Sequence, residues 1–512
     1  MSQKILFFEP YSLASPHFET ALELIQDHND LGDQLFIYQC NASLHFCDSN
    51  PSHNLETCLR CIAKGCNGLT QIAGSPVSRL SFLKLTKQES RYIRNLSLEF
   101  EDIDDLKSFT YHGLDIGYGA ASSLITALKD PKPDTKKHRD HILRIIRSSL
   151  ATYFSFAKHL SLVKPDIVYI FNGRFASMRV ILRLCQQSGT EIRIHERGSS
   201  KSKYTIFYNK LPHDLDGFAQ RVISQWHAFP NPSERISQAS LFYEQRRWGV
   251  DQKLPSFSKE MLDLSLPEMW NPHKRNIVIF NSSEDEFASI GPEFHHRPFA
   301  DQLEALRFIS EWVADKHDID IYLRMHPRLQ NIANTSVTDL YQLDSQNFYV
   351  IRPESPLSTY TLIDHCDAVL TFGSTTGIEA TFWGKPSILI GSAMYESFDV
   401  VHQVTNKQDL VNAILGYSDV KPKENTFPYG LYMSNDGIPY KYYQPDTFHS
   451  GMFKGRYISS DSMLLKLFKA KHTKKLFWPL FKIWHDHIML QSLFSSFRML
   501  YSRLSAAFRL CS

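Results

Sequence analysis

Short apolar runs bounded by polar turns recur along the chain, and a stretch of helical spacing follows most of them. Lys4 to Glu9 is the first run and predicts a buried strand. Ser15-Pro16 then marks a helix start, with a capping hydroxyl and a proline at the first helical position, and Phe18, Ala21, Leu22 and Ile25 continue at helical spacing. Gln34 to Cys40 predicts a second strand and completes a βαβ opening. Residues 78 to 160 are largely helix-like. From Lys164-Pro165 the alternation resumes, with a strand over 166–171, a helix over 175–187 and a strand from Glu191 to His195. Residues 228–275 hold prolines and charges without a strand and predict a connection between domains. A second alternating unit opens at Asn276 to Phe280, with further strands over 319–324, 348–351, 368–372 and 387–390. This order predicts an α/β protein with two parallel-sheet domains, 1–255 and 270–416, facing across a cleft, and a C-terminal extension over 417–512.

Size agrees with two domains, since 512 residues exceed what one hydrophobic core supports. With 43% hydrophobic and 21% charged residues, extensive disorder is excluded, and a net charge of +2 gives no reason to expect a nucleic-acid partner. The apolar run Ile5 to Phe8 is too short for the core of a signal peptide, and no uncharged apolar run approaches the roughly 20 residues that span a bilayer. The tail, 462–512, carries nine Lys or Arg against the single acid Asp486, interleaved with Phe477, Phe481, Trp484, Phe494, Phe497, Tyr501 and Phe508 at helical spacing. That pattern predicts a basic amphipathic helix on an anionic membrane surface, or else a helix packed back on the domains. A cytoplasmic protein, peripheral on the inner face of the cytoplasmic membrane, is the expectation.

Five of the eight cysteines lie between Cys40 and Cys66. Cys58-Leu-Arg-Cys61 has the gap of a zinc knuckle, and Cys40 and Cys47 complete a candidate four-thiolate structural site, with free thiols as the alternative.

Candidate chemistry gathers in the turns after strands, where open parallel sheets place ligands. Asp367 to Gly391 reads as strand, hydroxyl-rich turn, short helix, Gly-Lys-Pro turn and strand, and the turn Gly373-Ser374-Thr375-Thr376-Gly377 suits a phosphate. Glu379 lies one helical turn further on, where a carboxylate suits ribose hydroxyls. Met325-His326-Pro327-Arg328, Asn172-Gly173-Arg174, His195-Glu196-Arg197-Gly198 and Asn281-Ser282-Ser283 are comparable turns, the last followed by Glu284, Asp285 and Glu286.

Residues 275–416 resemble the nucleotide-binding domain of bacterial capsule polysaccharide biosynthesis proteins, GT-B-type glycosyltransferases related to Kdo and sialic acid transferases. His326-Pro327 matches their His-Pro motif, and Ser374-Thr375-Thr376 their paired-hydroxyl motif. The resemblance implies two Rossmann-like domains and a nucleotide-sugar donor whose phosphate meets His326, Ser374 and Thr375, with Thr376 and Gly377 completing the turn. It implies a polysaccharide or glycolipid acceptor. It also implies a general base in a short acidic motif of the first domain, for which Glu196 is the nearest match, although Arg197 stands where an acid is usual. Asp285 and Glu286 are the reserve bases.

The expected reaction is an inverting, metal-independent transfer. A carboxylate takes the acceptor proton and His326 assists the departing phosphate. Arg324 and Arg328 add positive charge, Asn172 and Arg174 line the first domain's side, and Glu379 holds the ribose. No cofactor is expected to be required, since Asp318-Ile319-Asp320 lies at a strand entrance. A UDP-sugar 2-epimerase, a polyol-phosphate transferase and a non-catalytic assembly protein are the competing readings.

Overall fold

The structure is a computed structural model that describes residues 2–250, 263–291, 294, 298–416, 419–462 and 465. The predicted tail helix lies outside the described residues apart from its first positions, so the membrane expectation is untouched. Among the described residues no helix is long and apolar enough to cross a membrane. The chain forms two compact units, one of Met1–Ala127, Pro133–Pro212 and Gly437–Ser512, the other of Leu128–Lys132 and His213–Asp436.

The first unit is built on a seven-stranded sheet. Its strands are β1 (Lys4–Glu9), β2 (Gln34–Gln39), β3 (Ser78–Arg79), β4 (Ile167–Phe171), β5 (Glu191–Arg197), β6 (Lys203–Tyr208) and β13 (Ile438–Pro439), in the order β13-β6-β5-β4-β1-β2-β3. Strands β1 to β5 pair in parallel, with Ile5 opposite Leu35 on one side and Ile167 on the other. A central parallel strand is covered on both faces, which is why Ile5, Leu6, Phe7 and Phe8 are all buried. Phe7, Phe18, Leu22, Ile25, Ile37 and Tyr169 form the core on one face.

Three expectations are corrected here. The strand opening at Glu191 continues through Arg197, because β6 pairs antiparallel with it and sets Glu196 opposite Thr205. His195 to Arg197 is therefore strand rather than turn. Ser15 does not cap the first helix, His17–Asp30, whose N-cap is Pro16; its hydroxyl instead bonds Glu19 and accepts from Lys64. The boundary expected near 255 falls at Pro212/His213, since the helices Leu215–Ala228 and Pro232–Arg247 pack their Phe218, Val222, Phe242 and Tyr243 with Phe382 and Tyr429 in the second unit.

The C-terminal segment also departs from expectation, because 437–462 completes the first unit. β13 extends the sheet beside β6, and β14 (Tyr443–Pro445) and β15 (Gly451–Phe453) form a hairpin. Fully buried Glu23 accepts the backbone N–H groups of Lys441 (2.5 Å), Tyr442 (2.9 Å) and Tyr443 (2.9 Å). Burial raises its pKa against the opposing pull of those amides.

The second unit carries a six-stranded parallel sheet of β7 (Arg275–Phe280), β8 (Ile319–Arg324), β9 (Phe348–Ile351), β10 (Ala368–Thr371), β11 (Ser387–Leu389) and β12 (His402–Gln403). The order β12-β11-β10-β7-β8-β9 reverses direction at β7, which is the doubly wound arrangement with its switch point between β7 and β10. Both units are thus Rossmann-like α/β sheets.

Removing the acceptor for three buried amides gives the fold's own test. Glu23→Ala should lower unfolding free energy by roughly 3 kcal/mol and Glu23→Gln by less, as read from urea denaturation. An unchanged midpoint in the alanine variant would show that this clasp does not hold the returning segment.

Candidate functional site

In the second unit, strand order brings two of the sequence motifs to either side of one strand. His326 follows β8 and Gly373 follows β10, and β7 runs between them. Two strand spacings make the motifs roughly 10 Å apart. The residues after β7 bond to both: Asn281 Oδ1 accepts the N–H of His326 at 2.7 Å, and Ser282 Oγ donates to the carbonyl of Phe372 at 3.0 Å. Gln302 fixes this bridge, accepting the N–H of Ser282 at 2.9 Å and donating to its carbonyl at 3.2 Å.

His326 opens a single 3-10 turn over Pro327–Leu329, and its Nδ1 accepts the N–H of Arg328 at 3.2 Å. An accepting Nδ1 places the proton of the neutral ring on Nε2. Burial lowers the imidazole pKa to about 4, with Asp285 opposing and Arg324 reinforcing the shift. His326 is therefore a neutral hydrogen-bond donor near neutral pH, not a source of protons.

The two arginines flanking it do not serve as expected. Arg324 is buried under the loops, donating to the carbonyls of Arg352 (2.5 Å) and Ser355 (2.8 Å), and burial lowers it to about 10. A residue at the end of a strand points either toward the edge or beneath the next loop, and Arg324 takes the second course. Arg328 forms an ion pair with Glu286. Of the reserve bases, Glu286 is engaged in that pair, while Asp285 is buried and accepts from Ser283 at 2.5 Å and pairs with Lys129 at 3.3 Å.

The hydroxyl turn is shaped by a set of internal hydrogen bonds. Gly373 supplies a backbone φ of +100° that a side chain disfavours. Ser374 Oγ accepts from Thr376 Oγ1 (2.6 Å) and from the N–H of Thr376 (3.3 Å). Thr375 Oγ1 accepts from Arg246 Nη2 at 3.0 Å. Each acceptance leaves the hydroxyl's own hydrogen to donate, and among the described residues neither Ser374 nor Thr375 donates to another side chain. The turn is pinned from behind by Tyr395, whose OH donates to the Ser374 carbonyl at 2.5 Å. A Cβ on Gly377 would lie 2.4 Å from the buried Tyr395 hydroxyl, so glycine is required here unless Tyr395 shifts.

Glu379 is corrected in role. It is 1% exposed, its Oε1 accepts from Arg246 Nε at 2.8 Å and its Oε2 from Tyr360 OH at 2.5 Å. A carboxylate so buried and engaged positions the arginine and does not face a ribose. Arg246 was missed in the sequence because its helix, Pro232–Arg247, lies in the stretch read as a connection and more than a hundred residues before the turn it serves.

In the first unit, Asn172 and Glu196 meet at the carboxyl edge. Asn172 Nδ2 donates to Glu196 Oε1 at 2.7 Å, and Asn172 Oδ1 accepts the N–H of Arg174 at 3.2 Å. Arg197 bonds His449 at 3.2 Å, and as the next residue on β5 it presents to the opposite face from Glu196. The Arg174 guanidinium lies over the Phe175 ring, 4.7 Å from its centre. Sequence reading also missed Glu9, at the end of β1, where burial pushes the carboxyl up to about 8.

Among the described residues no group of three or more His, Cys, Asp or Glu is placed to hold a metal ion. Cys40, Cys47, Cys58 and Cys61 line one cavity with Leu13, Leu44 and Ile62, and burial raises Cys40 to about 12 and Cys61 to about 11. Such apolar surroundings favour neutral thiols over thiolate ligands.

Residues 294–413 match the family model of the capsule polysaccharide biosynthesis protein. This is the family that the motifs resemble. The matched stretch contains His326, Pro327 and the whole 373–379 turn, and excludes Asn172, Glu196, Arg246 and Asn281. No curated protein matches the chain significantly in sequence. Among solved structures, the chain is similar to the KpsC beta Kdo 2,4 transferase of Thermosulfurimonas dismutans at 12% identity, over 52% of this chain and 80% of that one, with a TM-score of 0.35. The beta Kdo 2,7 transferase of the same organism gives 14%, 54%, 79% and 0.34. The UDP-GlcNAc 2-epimerase of Neisseria meningitidis, bound to UDP-GlcNAc, gives 11%, 86%, 96% and 0.26. Likenesses of this size transfer no residue roles.

The protonation state of His326 has a measurable consequence. Its folded pKa of about 4 lies below the ordinary 6.5, so folding excludes a proton that the unfolded chain binds. That cost is absent above pH 6.5 and grows as pH falls toward 4. The 15N shifts of its ring should show the Nε2-protonated neutral form, without titration, from pH 8 to pH 5. A midpoint near 6.5 would contradict the buried, neutral assignment.

Proposed function

We propose that the chain is a glycosyltransferase moving a sugar from a nucleotide-activated donor to a growing surface polysaccharide or lipid-linked acceptor, in capsule-type envelope biosynthesis. The observation that carries this reading is the pair of hydroxyls at Ser374 and Thr375, left as hydrogen-bond donors beside the neutral His326 and tied to it through Asn281 and Ser282. A cluster rich in donors suits a phosphate, which offers only acceptors at neutral pH. Its place at the carboxyl edge of a doubly wound sheet, within the stretch that matches the capsule family, supports a nucleotide-sugar phosphate as that ligand.

In this reading the donor phosphate rests on Ser374, Thr375 and the N–H groups through Gly377. His326 donates its Nε2–H to the oxygen that gains charge as the sugar leaves. Glu196, oriented by Asn172, takes the proton of the acceptor hydroxyl, and the single displacement inverts the anomeric centre. The reaction is metal-independent on the same reading, with Asp320 of the Asp318-Ile319-Asp320 stretch buried and bonded to Lys274 at 2.9 Å. The basic aromatic tail, outside the described residues, would hold the enzyme at the anionic inner face of the cytoplasmic membrane.

A panel of CMP-, UDP-, GDP- and CDP-linked donors, assayed with and without glycan acceptors, tests the reading. One donor class should be consumed to give a new glycosidic product. His326→Ala should lower that turnover by roughly 100-fold while its thermal unfolding stays near wild type. Binding of no donor, epimer release without acceptor, or normal turnover in the histidine variant would each overturn it.

A further inference from the structure

Arg246 lies outside the stretch that matches the capsule family, yet its guanidinium reaches the hydroxyl turn. It extends from the last turn of the helix Pro232–Arg247, and its partners divide by type. Nε meets the buried carboxylate of Glu379 at 2.8 Å and Nη2 meets Thr375 Oγ1 at 3.0 Å. Tyr360 OH holds the other carboxylate oxygen at 2.5 Å, so Glu379 is fixed from both sides. Its side chain is 1% exposed, whereas that of Arg246 is 35% exposed. The pair is a dipole with its negative end inside and its positive end toward the surface of the turn. Burial works against the Arg246 charge, but Glu379 and Tyr360 outweigh it and carry its pKa above the ordinary value.

We infer that Arg246 is a further residue of the donor site, which reads the phosphate of the nucleotide by presenting fixed positive charge at the turn and by orienting the Thr375 hydroxyl as a donor. The inference rests on the donor-phosphate reading above. Because Arg246 is always charged and planar, it accepts the geometry that Glu379 imposes and leaves one face of its fork to an anion. Glu379 and Tyr360 then act as positioning residues. The nearby Arg247 plays no such part, since it is spent in a two-point pair with Asp364, 2.5 Å on its shorter side, and lies over the Trp383 ring.

A charge that reads phosphate and a charge that merely ties two helices together predict different ligand dependence. Titration calorimetry with CMP and UDP, and in parallel with cytidine and uridine, separates them. Arg246→Gln should weaken the nucleotide that binds wild type by roughly 10- to 100-fold and leave its nucleoside unchanged, and Arg246→Lys should recover part of the loss. Thr375→Val should weaken the same nucleotide, and combining it with Arg246→Gln should cost less than the sum of the two. Equal loss of nucleotide and nucleoside, or no loss of either in a folded Arg246→Gln or Arg246→Lys protein, would overturn the inference. If His326→Ala still loses the nucleotide in that case, the donor reading survives and only the role of Arg246 fails. If wild type binds no nucleotide, the donor reading falls first.

Discussion

Everything at the candidate site depends on the two hydrogen bonds made by the residues that leave β7. Asn281 holds the backbone of His326 and Ser282 holds the backbone of Phe372, so two loops from different strands are tied to one point. Parallel strands alone set the spacing of those loops but not their orientation. A side-chain amide accepting from one loop and a hydroxyl donating to the other supply it, and Gln302 keeps the connecting segment from rotating.

Around that frame the second unit sorts its charges by depth. Arg324 is drawn under the loops to satisfy carbonyl groups, Arg328 is neutralised by Glu286, and Glu379 is buried against Arg246. The groups proposed above to meet an anion are hydroxyl hydrogens, a neutral imidazole N–H and one oriented guanidinium. Such a set suits the phosphate proposed above, which offers only acceptors. The first unit differs, for burial pushes the Glu9 carboxyl up to about 8 and Glu196 accepts from the Asn172 amide.

Much of the framework was legible in the chain because central parallel strands are covered on both faces and read as unbroken apolar runs. β1, β4, β7, β8 and β10 were placed to within a residue or two for this reason. The shortest strands, and β6, were not. β3, β12 and β13 have only two residues each, and β6 reveals itself only through pairing with β5. The return of 437–462 to the first unit had no local signal, since three backbone amides reaching Glu23 leave no trace in composition. At the site, residue types were readable and side-chain directions were not. His326 and the Ser374-Thr375 turn follow the strands on either side of β7, whereas Arg324 and Glu379 turned inward, and Arg246 arrived from a helix far away in sequence.

The most direct measurement is a crystal structure of the protein soaked with CMP or UDP. The account places a phosphate within hydrogen-bond distance of His326 Nε2 and of the Ser374 and Thr375 hydroxyls together. A nucleotide bound with its phosphate away from both the histidine and the turn would contradict the central claim that these loops form one anion site.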